Sequence, residues 1–480
     1  MIHFLDWANH TLFYYYLVSN FAYLAMLIIA LRTSAVHLRH LESIRFDWIK
    51  ESPLLPPVTL LVPAHNEEQF ICTAVRNLLD LDYPELEVIV INDGSTDKTL
   101  QMMQKEFRLR LVRAVYVAQV VSAPVRGLYR SDVDARLLVL DKEPAGSKAD
   151  ALNAGLNAAA SPYVCVVDGD SVLERDALLR IMVPILADPN RVVAAGGIIR
   201  VLNGSEIEAG RIRRVRLARK SIEVIQVVEY LRAFLIGREA WARGNMLMIV
   251  SGAFGVFRTD LVREVGGYRS SAIGEDFDLV ARLHRNLLDK GADYRIEFVP
   301  DPVCWTEVPS DLRSLGRQRA RWQKGLLDVL WPNRDMLFRA RYGRIGWLAL
   351  PYLWLFELAA PVIEVTGIVT VLLAAAFGAL SGTFSLQFLL FGYGFATVIS
   401  IGSVLQEELT YKRYNDWQDV ARLVTYCLLE HFPYRQLHMI WRLQGLWQYF
   451  RGDMAWRPLK RQGQDSAGAD KTGPSPVPAS

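Results

Sequence analysis

Two carboxylates one residue apart, Asp168-Gly169-Asp170, directly follow the apolar run Tyr163–Val167. From a strand end both cannot face a core, but both can converge on one divalent cation, with Gly169 letting the backbone turn closely around it. Mg2+ or Mn2+ held this way also grips a diphosphate and neutralises its charge as it departs. The competing structural role is an Asx turn in which Asp168 caps the next turn of the chain. A second acid, Asp93, ends the apolar run Glu87–Ile91 within Asn92-Asp93-Gly94-Ser95. Its carboxylate suits the imide N–H of a uracil, whereas Asp97 suits the cap of a following helix. Lys148, in Lys148-Ala149-Asp150-Ala151-Leu152-Asn153, supplies a cation for donor or phosphate oxygens, with a plain surface lysine as the rival role. Gly274-Glu275-Asp276 places two acids before the helical stretch Phe277–Arg285, where the helix dipole alone would also favour them. Gln318-Arg319-Ala320-Arg321-Trp322 puts Gln318, Arg321 and Trp322 on one helical face. Arg321 there matches a diphosphate bidentately, and Trp322 offers a flat apolar surface to a sugar ring.

The elements that must carry these residues are legible in the apolar pattern. Val58–Val62 reads as a buried strand closed by Pro63, Glu67–Leu79 as a helix and Glu87–Ile91 as a second strand. Strand, helix, strand at this spacing is a βαβ unit and predicts an α/β fold with a mostly parallel sheet. The pattern repeats with a helix over Asn153–Ala160 and a strand over Tyr163–Val167. In such sheets ligands sit beyond the carboxyl ends of the strands, where Asp93 and Asp168 both fall. Residues 33–57 read as a charged linker ending in Pro53 and Pro56-Pro57. Residues 205–248 are helical in pattern, with Arg211, Arg213, Arg214, Arg216 and Arg219 on a solvated face, against anionic headgroups or lining a polar channel.

Taken in order, Pro63-Ala64-His65-Asn66-Glu67, Asn92-Asp93-Gly94-Ser95, Asp168-Gly169-Asp170, Gly274-Glu275-Asp276 and Gln318-Arg319-Ala320-Arg321-Trp322 closely resemble the membrane-embedded family-2 glycosyltransferases. That group includes the poly-N-acetylglucosamine, hyaluronan, chitin and cellulose synthases. The resemblance covers about residues 55–335 and implies a GT-A-type nucleotide-sugar-binding domain flanked by transmembrane and interfacial helices. It assigns Pro63, Glu67, Asp93, Lys148 and Asp168 to the nucleotide, and Asp168 and Asp170 to a Mg2+ or Mn2+ ion. It makes Asp276 the general base for the acceptor hydroxyl, with Glu275 in support, because a sugar hydroxyl is a poor nucleophile near neutral pH. Ser251-Gly252-Ala253-Phe254-Gly255 resembles the loop that cradles the acceptor sugar, while Gln318, Arg321 and Trp322 meet acceptor and diphosphate. One base and one in-line displacement invert the anomeric carbon, so a UDP-α-sugar would give a β-linkage.

Composition sets the surroundings of this domain. Apolar residues make up 51% of the 480 residues, and the excess lies towards the two ends. Residues 11–31 are uncharged and long enough to cross a bilayer; no basic n-region precedes them to favour a secretory signal. A second apolar region, about 345–380, exceeds one straight span and reads as an interfacial helix bent at Pro361 into a span, or as a hairpin. A third run covers about 385–405, and 418–445 is apolar on one face only, as an interfacial helix is. Arg32, Arg39, Arg45 and Lys50 follow the first span, and Arg334, Arg339, Arg341 and Arg344 precede the second. Positive charge on both flanks places the central domain in the cytoplasm of an integral inner- or plasma-membrane protein. Expected boundaries are 1–57 for helix and linker, 58–335 for the catalytic domain, 336–445 for the C-terminal membrane region and 446–480 for a basic segment and a disordered tail that starts at Arg461. Net charge of +3 gives no reason to expect nucleic acid, and Cys72, Cys165, Cys304 and Cys427 are too scattered for a disulfide framework or zinc site.

The reading is an inverting, processive glycosyltransferase that elongates a β-linked polysaccharide from a UDP-sugar, in contact with membrane lipids and with room for accessory synthase subunits. Two alternatives stand beside it. One moves a single sugar to a lipid acceptor, as ceramide glucosyltransferases do; the other is a catalytically silent UDP-binding subunit.

Overall fold

The computed structural model describes residues 2–113, 116–378, 382, 386–387, 389–414 and 416–453; most of the expected tail lies outside them. Its centre is a ten-stranded sheet in the order β3-β4-β5-β2-β1-β6-β11-β8-β12-β7. The strands are β1 Val58–Ala64, β2 Leu86–Asp93, β3 Leu109–Leu111, β4 Val125–Ser131, β5 Leu137–Lys142, β6 Tyr163–Val167, β7 Val172–Leu173, β8 Val192–Val201, β11 Phe254–Arg258 and β12 Arg295–Thr306. Strands β5, β2, β1 and β6 pair in parallel, β8 pairs in parallel with β12, and β4, β11 and β7 run against the rest. Seven strands therefore share one direction, and the expected α/β class with a mostly parallel sheet is what the chain forms. The central strands β1, β2 and β6 are buried along nearly their whole length, which is why they read as continuous apolar runs.

Three parts differ from the expectation. Residues 205–219 are not helical: β9 (Glu206–Glu208) and β10 (Arg211–Arg214) form a two-stranded hairpin, and helix begins only at Ser221. Ala209 and Gly210 close it at φ 51° and 75°, the left-handed pair that a two-residue hairpin turn demands. Arg211, Arg213 and Arg216 are spent on Asp80, Glu208 and Glu206 respectively. Residues 33–43 are no linker, because the first helix runs unbroken from Ile2 to Ser43. Phe254 and Gly255, read as loop, begin β11 between β6 and β8.

Among the described residues, Trp7–His37 is one straight helix long and apolar enough to cross a membrane, and Ile345–Leu358 with Ala360–Ala376 qualifies as a pair bent by 46°. The bend falls beside Pro361, as the sequence indicates. The later helix Phe395–Thr410 is apolar but buries Ser400, Ser403, Gln406 and Glu407 against protein. Glu407 accepts from Arg200 of β8 at 2.5 Å, and both side chains are almost fully enclosed. Removing one member of such a pair strands the other's charge, at a cost of about 3–5 kcal/mol. Glu407→Leu is therefore expected to lower the melting temperature of the detergent-solubilised protein clearly more than Glu408→Leu.

His284, in the helix Glu275–Asp289, is fully buried between the Tyr294 hydroxyl at 2.6 Å and the Leu247 carbonyl at 2.9 Å. Burial pushes its pKa down to about 4, so the fold holds it neutral. Its contribution is complete above the unfolded value of about 6.5 and is lost as pH falls towards 4, at up to ~1.4 kcal/mol per pH unit. Melting temperature measured between pH 7 and 4 should fall, and His284→Gln should flatten that slope.

Candidate active site

The carboxyl ends of β1, β2 and β6 open into one continuous cavity of about 2370 Å³. It is lined by Pro63, Glu67, Asp93, Lys148, Asp168, Asp170, Ser251, Gly252, Glu275, Asp276, Gln318, Arg321 and Trp322. Every residue singled out from the sequence thus meets the others in one space. Parallel register explains the first group: Pro63 pairs with Ile91, two residues before Asp93, and Leu61 with Val166, two before Asp168.

Asp93 is held from behind. Lys142, at the end of β5 and fully buried, reaches its Oδ1 at 2.5 Å and Asp150 at 2.9 Å. The second Asp93 oxygen is the one left for a ligand. The preceding loop is fixed to the same strand end, since the Asp93 carbonyl meets His65 Nδ1 at 2.8 Å and Asn66 Oδ1 accepts the Thr96 N–H at 2.8 Å. Glu67 N–H donates to Thr99 Oγ1 at 2.8 Å, and Asp97 accepts from Glu68 and Thr99 N–H groups. Asp97 is thus a structural cap, as read from the sequence. Lys142 was missed; the signal was a lysine closing the apolar run Leu137–Leu140 after Asp141.

Lys148 joins the two halves of the cavity. Its ammonium pairs with Asp168, donates to the Gly252 carbonyl at 3.0 Å and stands 3.8 Å from Glu275. Burial would lower its pKa, but Asp168 and Glu275 outweigh that and raise it, so it stays charged. Glu275 is raised by burial and by Asp276 beside it, with Lys148 opposing. Asp276 sits in the first turn of the helix Glu275–Asp289; its Oδ1 accepts the Phe277 N–H at 2.8 Å and its Oδ2 the Gly252 N–H at 3.2 Å. A helix N-terminus favours negative charge there. A side chain at Gly252 would press on Lys148 Nζ at 3.2 Å and touch the Asp276 side chain at 3.7 Å, so any residue larger than glycine would have to displace the lysine tip. Gly169 is different from expectation: its φ is ordinary and a Cβ there would meet only the Pro63 carbonyl at 3.8 Å, so crowding does not select it.

The helix Leu312–Leu330 forms another wall, its start capped by Asp311 on the Ser314 N–H. Gln318 is buried, and its Oε1 has no hydrogen-bond partner; Trp322 is 45% exposed into the cavity. The two arginines of this motif divide. Both line the cavity, but Arg319 is almost wholly buried and paired with Glu229, whereas Arg321 makes no such ion pair among the described residues. Arg238, over the Phe234 ring at 3.8 Å, adds a cation that the sequence did not single out; burial lowers its pKa to about 10 with Asp276 opposing, so it is charged at neutral pH. Beyond Trp322 the cavity continues between the apolar helices, past Tyr15, Tyr16, Tyr23, Glu357, Glu364, Arg435 and Arg442. Arg435 pairs there with Glu364 at 2.9 Å and Tyr23 with Glu357 at 3.2 Å.

Among the described residues no three His, Cys, Asp or Glu side chains gather as a closed metal cage. Two carboxylates at one strand end are instead a donor set of hard oxygens that suits Mg2+ or Mn2+ completed by phosphate oxygens and water.

The profile described as glycosyl transferase family 2 matches residues 59–265, and that of glycosyl transferase family group 2 matches 163–401. Together they enclose the whole cavity-lining set from Pro63 to Trp322. The chain carries a glycosyl transferase family 2 domain. It is 27% identical over 309 residues to the poly-β-1,6-N-acetyl-D-glucosamine synthase of Staphylococcus epidermidis, covering 61% of this chain and 63% of that protein. It is 28% identical over 278 residues to the synthase of the same name from Staphylococcus aureus, covering 58% and 56%. The glycosyltransferase thus spans about three fifths of the length of these relatives. A mannosyltransferase from Pyrobaculum calidifontis, solved with GDP-mannose and Mn2+, is similar over 88% of this chain and 99% of its own, at 21% identity and a TM-score of 0.49. The α/β glycosyltransferase domain, with its mixed sheet and acids at the ends of β2 and β6, is of the GT-A type.

Proposed function

We propose that this glycosyltransferase is an inverting, processive enzyme that transfers a sugar from a UDP-sugar to a growing β-linked polysaccharide and feeds the product into its own membrane region. The observation that supports this reading is the continuity of the cavity from Asp168 and Asp170, past Asp276 and Trp322, to Tyr15, Glu364 and Arg435 among the apolar helices. On this reading residues 58–335 form a cytoplasmic catalytic unit, and Trp7–His37 with the bent pair after Ile345 anchors it in the membrane.

The donor lies across the strand ends, its uracil at the free Asp93 oxygen and its diphosphate between Lys148 and Arg321. Pro63 and Glu67 frame the nucleotide from the β1 loop. Asp168 and Asp170 would hold Mg2+ or Mn2+, which when bound neutralises diphosphate charge. The acceptor enters from the other side, cradled by Ser251 and Gly252, stacked on Trp322 and flanked by Gln318. Its hydroxyl oxygen bonds to the anomeric carbon as the bond from that carbon to the phosphate oxygen breaks. Asp276 takes the hydroxyl proton, Glu275 with Lys148 fixes the helix start that presents it, and UDP leaves with the electron pair. Attack from the face opposite UDP inverts the centre.

N-acetylglucosamine is the first sugar to try, because the matched relatives carry it in their names. The second reading, transfer of one sugar to a lipid, draws on the same opening of the cavity between apolar helices. Sizing separates them: the chain in nanodiscs with a UDP-sugar and Mn2+ should yield a ladder of long glycans. A single sugar attached to an extractable lipid, and nothing longer, would establish the second reading instead.

A further inference from the structure

The buried arginine of the Gln318–Trp322 segment has a role distinct from its neighbour's. Arg319 is 3% exposed; its Nη2 donates to Glu229 Oε2 at 2.5 Å, and its guanidinium carbon lies 4.3 Å from the centre of the Trp322 ring. Tyr434, which ends the segment Glu430–Tyr434, lies beside Glu229 and Arg319, but its buried hydroxyl has no hydrogen-bond partner among the described residues. We infer that Glu229 and Arg319 are positioning residues that fix the plane of the Trp322 indole before the acceptor glycan arrives. This rests on the proposed role of Trp322 as the acceptor's stacking surface.

A carboxylate at its edge orients a guanidinium, and that plane then sets the ring stacked upon it. Lysine carries the charge but has no plane to impose. A tryptophan 45% exposed on a helix face would otherwise exchange among rotamers, and ordering it on binding would weaken the acceptor's hold. Stability alone does not account for the arrangement, because a buried ion pair generally contributes no more than apolar residues of the same volume. The support also reaches the membrane region: the helix bearing Glu229 leads to Arg232, which pairs with Glu430 at 2.6 Å and donates to Ser400 at 2.5 Å. The surface that receives the growing chain is thus braced against the helices through which the product would leave.

The test uses the full chain in nanodiscs with UDP-N-acetylglucosamine and Mn2+, and compares Arg319→Lys, Glu229→Gln and Trp322→Leu. Product length, UDP affinity by calorimetry and melting temperature are read for each. Arg319→Lys and Glu229→Gln should both shorten the product by about tenfold, the scale of a desolvated cation–π contact. UDP affinity should remain within about twofold, because the diphosphate is left to Arg321 and Lys148. If Trp322→Leu shortens the product but Arg319→Lys and Glu229→Gln do not, the positioning role is wrong while the acceptor role stands. If Trp322→Leu itself changes nothing, or the unaltered chain makes no polymer, the underlying reading fails. Loss of length only in step with UDP affinity and melting temperature would mark Arg319 as a structural residue and overturn the inference.

Discussion

Asp276→Asn is expected to slow sugar transfer by about 10²–10⁴-fold, the usual worth of a positioned general base, while UDP binds almost unchanged. The amide oxygen can still accept the N–H of Gly252 or Phe277, so the loop and helix start that meet at this side chain keep much of their geometry. What it cannot do is accept the hydroxyl proton. Glu275 does not replace it, because it stands beside Lys148 at 3.8 Å on the donor side of the turn. The check is UDP release under single-turnover conditions together with UDP affinity by calorimetry. A large loss of rate at constant affinity is the predicted pair of results; loss of both would mean that the substitution has disordered the 251–252 loop.

Asp168→Asn and Asp170→Asn are expected to reduce transfer by at least ~10²-fold, since neutralising a departing diphosphate is worth several kcal/mol. They should also remove the dependence of UDP affinity on Mn2+. The two differ in one respect. Asp168 pairs with Lys148, which joins Gly252 and Glu275, so Asp168→Asn also frees the lysine that ties donor and acceptor sides together. Asp168→Asn should therefore weaken UDP binding even without added metal, whereas Asp170→Asn should not. Titration of UDP with and without Mn2+, in unaltered and substituted protein, measures both effects.

The sequence made the donor side legible because central parallel strands are apolar throughout, and an acid at the end of such a run has one place to go. Asp93 and Asp168 needed nothing else. A helix after Gly274 and a helical face carrying Gln318, Arg321 and Trp322 were also legible, but the first begins at Glu275, two residues earlier than read, and the start of the second at Leu312 was not read. The rest depended on distant residues. Lys142 stands out only once β5 is placed beside β2, and Glu229 could not be linked to Arg319 before the helices met. The Arg-rich stretch after Ser205 has a helical count of apolar residues, but Ala209 and Gly210 turn it into a hairpin whose arginines are mostly paired. The first helix ran past its expected end because nothing in residues 33–43 breaks a helix.

The central claim is that one cavity brings UDP-sugar and acceptor to Asp276. The most direct measurement is UDP release by the purified chain in nanodiscs with Mn2+, across a panel of UDP-sugars, with products sized and Asp276→Asn as the control. The account predicts release with one preferred donor, a ladder of long glycans, and loss of both in the Asp276→Asn protein. Release that persists in that protein, or no release with any donor from a chain that still binds UDP, would contradict it.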